Sequence, residues 1–215
     1  MELVLGAGQL DCVISDADEL LREYRGDTGY EYLKYRPVTP QDKLVPEDLA
    51  VTLLVNSRAT YRAFQSLQRY GESIELNKLP PGPLEQSSDA ELKSLAEVIS
   101  TVANWPGFAA SVATKVLHKK RPDLIPILDN QAIFGAYMSP SWPEKPTSQE
   151  SIKSRSRIEQ ALRWIKADLT RPENENIWPS LREIELPHSL IEIFDSVWWM
   201  YFRAKQPIRV RNKTK

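Results

Sequence analysis

The densest chemistry in the chain lies between Trp105 and Tyr137, in the stretch WPGFAASVATKVLHKKRPDLIPILDNQAIFGAY. A helical pattern ends at Asn104, Pro106 and Gly107 make a tight turn, and a new helical pattern opens near Ala110; together these form a helix-hairpin-helix. The backbone amides of residues 109–111 then stand at a helix N-terminus, where unpaired donors and the macrodipole favour an anion such as a phosphate. Gly107, Ala109, Ala110 and Ser111 thus form a candidate phosphate clamp. Lys115, Lys119, Lys120 and Arg121 follow with no acidic residue before Asp123, which adds positive charge beside the same anion. Asp129 precedes a further helical stretch, where on residue type alone an Asp is first an N-cap, worth about 1 kcal/mol.

Other reactive side chains are scattered. Tyr30, Tyr32, Tyr35, Trp105, Trp142 and Trp178 could offer stacking faces, although most aromatics at such spacings are core, Trp198 and Tyr201 above all. His118 lies one turn beyond Lys115 and is expected on an exposed helix C-terminus; His188 precedes a cap and is expected to be local structure. Cys12 has no basic neighbourhood and is expected to be a small buried apolar residue. Asp195 falls on the polar side of Trp198, where a buried arginine would be a suitable partner.

These groups must be positioned by helices. Asp16 with Glu19 has capping-box spacing and predicts a helix to Tyr24 with Gly26 as its stop. Residues 29–35 alternate aromatic and polar side chains, which predicts a short strand or β-hairpin. Pro46, Glu47 and Asp48 open an apolar run through Leu49, Leu53 and Leu54 to Tyr61, Phe64 and Leu67, one long helix or two abutting ones. The proline-punctuated segment ESIELNKLPPGPLEQSSD is a surface connection and the best internal boundary. Ser88 with Glu91 caps a helix whose buried stripe is Leu92, Leu95, Ala96, Ile99, Val102 and Ala103. Further helices are expected near 110–118 and 130–137, after Thr147 with Glu150, and after Ser189 with Glu192. The expected fold is all-α, a single two-lobed helical domain over 1–215, with the hairpin unit at 92–138 and a basic, mobile tail at 204–215.

Composition sets the outer limits. The 215 residues are 41% hydrophobic and 27% charged, close to globular averages. One Cys rules out an intramolecular disulfide and a four-cysteine metal site, and two His argue against a histidine-rich one. There is no apolar run of membrane-spanning length and no basic n-region, so a soluble cytoplasmic protein with no membrane partner is expected. The net charge of -1 conceals an asymmetry: residues 1–110 hold 10 Lys+Arg against 17 Asp+Glu, and residues 111–215 hold 18 against 12. An acidic half and a basic half favour a polyanionic partner for the latter, though helical proteins also spread solvated charge unevenly.

The segment resembles the helix-hairpin-helix base-excision DNA glycosylases. Those enzymes follow a Pro-Gly-apolar-Gly hairpin with a helix, a Gly/Pro-rich loop and a catalytic Asp; here the match is Pro106, Gly107, Phe108, Ala109, then Ala113, the loop Arg121 to Ile127, and Asp129, 22 residues after Gly107. The resemblance implies Asp129 as the catalytic carboxylate, stabilising an oxocarbenium-like sugar. It implies duplex DNA as partner, gripped by Gly107, Ala109, Ala110, Ser111, Lys115, Lys119 and Lys120, and a base pocket at Tyr30, Trp105 and Tyr137. Two departures stand out: Ala109 replaces the second hairpin glycine, and Ser111 occupies the position of the Schiff-base lysine in the lyase-competent members, so any activity would be monofunctional. No cofactor is implied beyond a monovalent cation at the hairpin backbone. The chain is also similar, over most of its length, to an uncharacterised bacterial family with the pattern K-R-P-x-L-I-P-I-x-D, which brings no activity with it. A glycosylase, a non-catalytic DNA-binding module and a partner-binding protein on the same fold all fit these residues.

Overall fold

The computed structural model describes residues 1–6, 12–55, 59–139, 152–184 and 189–205. The fold is almost entirely helical: α1 (Ala17–Glu23), α2 (Thr28–Lys34), α3 (Tyr61–Tyr70), α4 (Asp89–Asn104), α5 (Ala110–Lys120), α6 (Arg155–Leu169), α7 (Ile177–Ile184) and α8 (Leu190–Lys205), with short 3-10 turns between them. Two three-residue strands, β1 (Leu3–Leu5) and β2 (Cys12–Ile14), pair antiparallel with Leu3 opposite Ile14. They turn Leu3, Leu5 and Ile14 into the core and leave Cys12 half-buried. Asn174 closes the outer edge of β1, accepting from the Val4 amide at 3.0 Å and donating to its carbonyl at 2.8 Å.

Residues 29–35, expected to be extended, form a helix instead. The Asp27 carboxylate accepts the Gly29 amide at 2.8 Å and starts α2, which buries Tyr32 and Leu33. A side-chain cap outweighs an aromatic alternation of one strand's length. The run from Pro46 divides into a 3-10 segment, Pro46–Val55, and α3, which buries Ala63, Ser66 and Leu67 and leaves Tyr61 and Phe64 in solvent. Helix α4 carries the expected capping box, with Ser88 and Glu91 exchanging bonds, and Ser189 and Glu192 do the same before α8. Ser154 caps α6; Trp142, Thr147, Glu150, His188 and the tail beyond Lys205 lie outside the described residues. Helix α7 had no sequence signal, because Pro179 sits in its first turn, where a missing amide costs nothing.

Helix α5 runs through the middle of the molecule, packed by α4 and the 46–55 segment and bonded to α2, where Tyr32 donates to Lys115 O and Lys119 to Leu33 O. Its basic end is therefore sealed. Lys120 is fully buried; its ammonium lies 2.7 Å from Asp48 Oδ1 and donates to Thr39 Oγ1 and Pro40 O. Lys119 donates to Leu33 O at 3.2 Å and sits 4.1 Å from the centre of the Tyr32 ring, and burial lowers its pKa to about 8. His118, expected at the surface, is buried too, stacked on Tyr32 with Nδ1 2.7 Å from Ile125 O. Lys119 and Lys120 thus hold the 33–48 region to α5 and present no charge to a phosphate.

The bend before α5 is equally constrained. Gly107 has φ +84°, and a Cβ there would lie under 3 Å from the Ala63 amide, Thr60 Oγ1 and the Arg62 carbonyl carbon. Ser66 Oγ donates to Pro106 O at 2.9 Å, and Tyr70 packs on Trp105. The hairpin and the first turns of α3 are one rigid unit.

Two stability changes are expected from urea denaturation. Gly107→Ala should destabilise by at least about 1–2 kcal/mol, from backbone strain before any steric cost. Asp48→Ala, which strands the buried Lys120 ammonium, should cost about 3–5 kcal/mol, and Asp48→Leu combined with Lys120→Met should recover most of it.

Candidate functional site

The loop between α5 and Asp129 is short and rich in proline, yet it is held at three successive places. His118 Nδ1 donates to Ile125 O, the Asp195 carboxyl accepts the Ile127 amide at 3.0 Å, and Thr114 Oγ1 accepts the Leu128 amide at 3.0 Å. The donors and acceptors come from α5 and α8, so both helices fix where Asp129 stands. Asp195 meets a backbone amide where an arginine was expected. Thr114, His118 and Asp195 are positioning residues whose types alone signal nothing; only their partners reveal them.

Asp129 lies on the wall of an open pocket of about 110 Å³. Its Oδ1 accepts the amides of Gln131 at 2.8 Å and Ala132 at 3.0 Å, which starts the short π-helical segment Ile133–Tyr137. That is the capping role expected from residue type. Lys115, from α5, lines the same pocket, as do Asp195 and Trp198 from α8 and Tyr32 from α2. Aromatic walls with a few convergent polar groups are the usual composition of small-molecule sites.

The polar groups in the pocket are unlike one another. Burial pushes the Lys115 ammonium below its ordinary value, with Asp129 pulling the other way. Burial drives the Asp195 carboxyl well above its ordinary range against the bond from Ile127, and the nearby Glu192 raises it further. Burial likewise raises the hydroxyls of Tyr24 and Tyr32, with Asp195 adding to both. The site therefore sets a carboxyl that holds its proton more firmly than usual and an amine with a loosened proton around one cavity, which Asp129 also lines. Such divergence among neighbouring titratable groups is what acid-base chemistry requires.

Of the residues expected to touch a ligand, the structure unites Asp129 and Lys115. Gly107 and Ala109 reach the surface in part, Ser111 and Val112 keep only a margin of it, and Ala110 has none. None of the expected base-pocket residues lines the cavity. Trp105 packs between Tyr70 and Phe108 behind the hairpin; Tyr30 is half-buried against Tyr24, with Lys34 over its ring; Tyr137 is buried, donating to Asp168 Oδ2 at 2.8 Å. The rings that do line it are Tyr24, Tyr32, Trp198 and Trp199. Trp198, expected in the core, is both: its ring is buried, its Nε1 donates to Ala132 O at 2.7 Å, and one face closes the pocket. At the hairpin, where the resemblance implies a monovalent cation, the Lys153 ammonium donates to Phe108 O at 2.9 Å. No cluster of three His, Cys, Asp or Glu suited to a metal occurs among the described residues, and no described helix is long and apolar enough to cross a membrane.

The state of Asp195 has a measurable consequence. A carboxyl raised in the folded protein adds stability at low pH that is lost as pH climbs from its unfolded value through its folded one. Asp195→Asn keeps an oxygen for the Ile127 amide and removes the titration. The Tm of this variant relative to wild type is expected to rise between pH 4 and pH 9, and a pH-independent difference would mean that Asp195 is charged throughout.

No curated protein and no solved structure matches the chain. One family does, and it spans the molecule from the first residue of α1 to the last turns of α8, taking in every residue that lines the pocket. Over residues 17–202 the chain matches the family of unknown function DUF6308, and it belongs to that family.

Proposed function

We propose that the chain is a monofunctional DNA N-glycosylase, acting on a damaged or modified base extruded from duplex DNA. The observation that carries this is the position of Asp129: 22 residues beyond the Gly107 bend, on the wall of an aromatic pocket it shares with Lys115 and Asp195. A flipped base would stack among Trp198, Trp199 and the tyrosines. The Asp129 carboxylate would face the sugar and stabilise the positive charge that grows as the C1′–N bond breaks, while a water adds its oxygen to C1′ and gives up its proton to that carboxylate. The Asp195 carboxyl, whose proton burial holds more firmly than usual, is a fitting donor of the proton the departing base needs. Lys115, one helical turn beyond Ser111 on the same helix, would place its positive charge beside the strand.

A non-catalytic DNA-binding module is the second reading, favoured by one specific interaction: Asp129 Oδ1 already serves two backbone amides as a cap. The two readings part on a panel of duplexes carrying uracil, alkylated purines, oxidised guanine or mismatches. The enzyme should generate abasic sites on at least one substrate, with no imine trapped by borohydride. Asp129→Asn, which preserves a capping oxygen, should lower the rate by about 100-fold or more while duplex binding persists. Binding by wild type with no abasic sites on any substrate would leave the non-catalytic module.

A further inference from the structure

The basic end of α5 is buried, so a DNA-binding surface must lie elsewhere, and α3 has the chemistry for it. From Leu49 to Gly71 the sequence contains Arg58, Arg62 and Arg69 and no acidic residue, within a half of the chain that is otherwise acidic. On α3 the inner positions Ala63, Ser66 and Leu67 are buried, and the outer ones form two adjacent stripes. Tyr61, Phe64 and Gln68 follow one helical row; Arg62, Gln65 and Arg69 follow the next. All six are exposed, Tyr61 by 74% and Phe64 by 43%, a large aromatic area to leave in water without a partner. An open groove runs between this face and Pro106, bordered by Arg62, Gln65, Gln68, Arg69 and Tyr70.

We infer that the outer face of α3 is a duplex-DNA-binding surface, with Arg62 and Arg69 on the phosphates of one strand and Tyr61 and Phe64 against the bases. Cations fixed among flat apolar rings and amide side chains, with no anion between them, match a polyanion whose bases stack. The location agrees with the charge. Helix α3 is locked to the hairpin through Gly107 and the Ser66–Pro106 bond, so a strand on α3 also meets the exposed rim of the hairpin. Val55 lines the pocket, and Tyr61 is six positions further along the chain, so the two lie within about 22 Å of each other, inside a single turn of duplex. The inference rests on DNA as the substrate proposed above, but not on excision.

The test is fluorescence anisotropy of a labelled duplex over a salt series, with Arg62→Glu/Arg69→Glu and Tyr61→Ala/Phe64→Ala, both surface changes whose folding circular dichroism checks. Charge reversal should weaken binding by about tenfold or more and flatten the salt slope by about two, one for each phosphate no longer neutralised. The aromatic pair should weaken binding with little change in slope. Wild-type affinity and slope in the charge-reversed protein, or no salt-sensitive DNA affinity in wild type, would overturn the inference. The lesion panel keeps the outcomes apart. Abasic sites formed equally by wild type and Arg62→Glu/Arg69→Glu sink the surface and leave the enzyme; binding abolished on charge reversal, with no abasic sites from wild type, leaves the surface and sinks the enzyme.

Discussion

The site depends on a close backbone approach at Gly107, where the turn between α4 and α5 presses against the first turn of α3 with no room for a side chain. A left-handed φ and the lack of a Cβ are both used there. This approach decides the direction in which α5 departs, and α5 carries Lys115 into the pocket, Thr114 and His118 against the loop of Asp129, and Lys119 and Lys120 into the 33–48 region. Had the hairpin opened by a few ångströms, α3 would have no seat and the loop only one of its three anchors.

Enclosure of α5 also explains why its charges behave as they do. A lysine on a surface helix keeps its ammonium in water; on a central helix it must find oxygens. Lys120 finds a carboxylate, a hydroxyl and a carbonyl, and Lys119 a carbonyl and a ring face. These bonds span about eighty residues of sequence, so they order the long, irregular 35–45 segment that no helix or strand supports. The same positive charge that suggested a nucleic-acid surface is spent on tertiary structure, and exposed charge of the right sign sits on α3.

The pocket draws its character from contrast. Asp129 is anchored at a helix start, Asp195 reaches from α8 to a backbone amide of the loop, and Lys115 is half-covered on the pocket wall. Burial and neighbouring charge act on Asp195 and Lys115 in different balance, raising the hold on a proton in the first and loosening it in the second. Aromatic rings from α2 and α8 make up much of that cavity's wall, and a lowered local dielectric strengthens the charges that face it.

Much of the fold was legible in residue order. The capping boxes at Ser88 and Ser189, the buried stripe of α4, the hairpin turn and the Asp129 cap depend on neighbours within four positions, and local physical chemistry alone determines them. Residues 29–35 mislead because their aromatic alternation competes with the Asp27 cap, which wins, and α3 misleads because Tyr61 and Phe64 look like core residues while its inner row is Ala63, Ser66 and Leu67. What only the tertiary structure decided is which side of each helix meets protein and which meets water. A helix wrapped by three neighbours has no polar face, so the inward turn of Lys119, Lys120 and His118, and the gathering of Lys115, Asp129 and Asp195 in one pocket, follow from interactions made across the chain rather than along it.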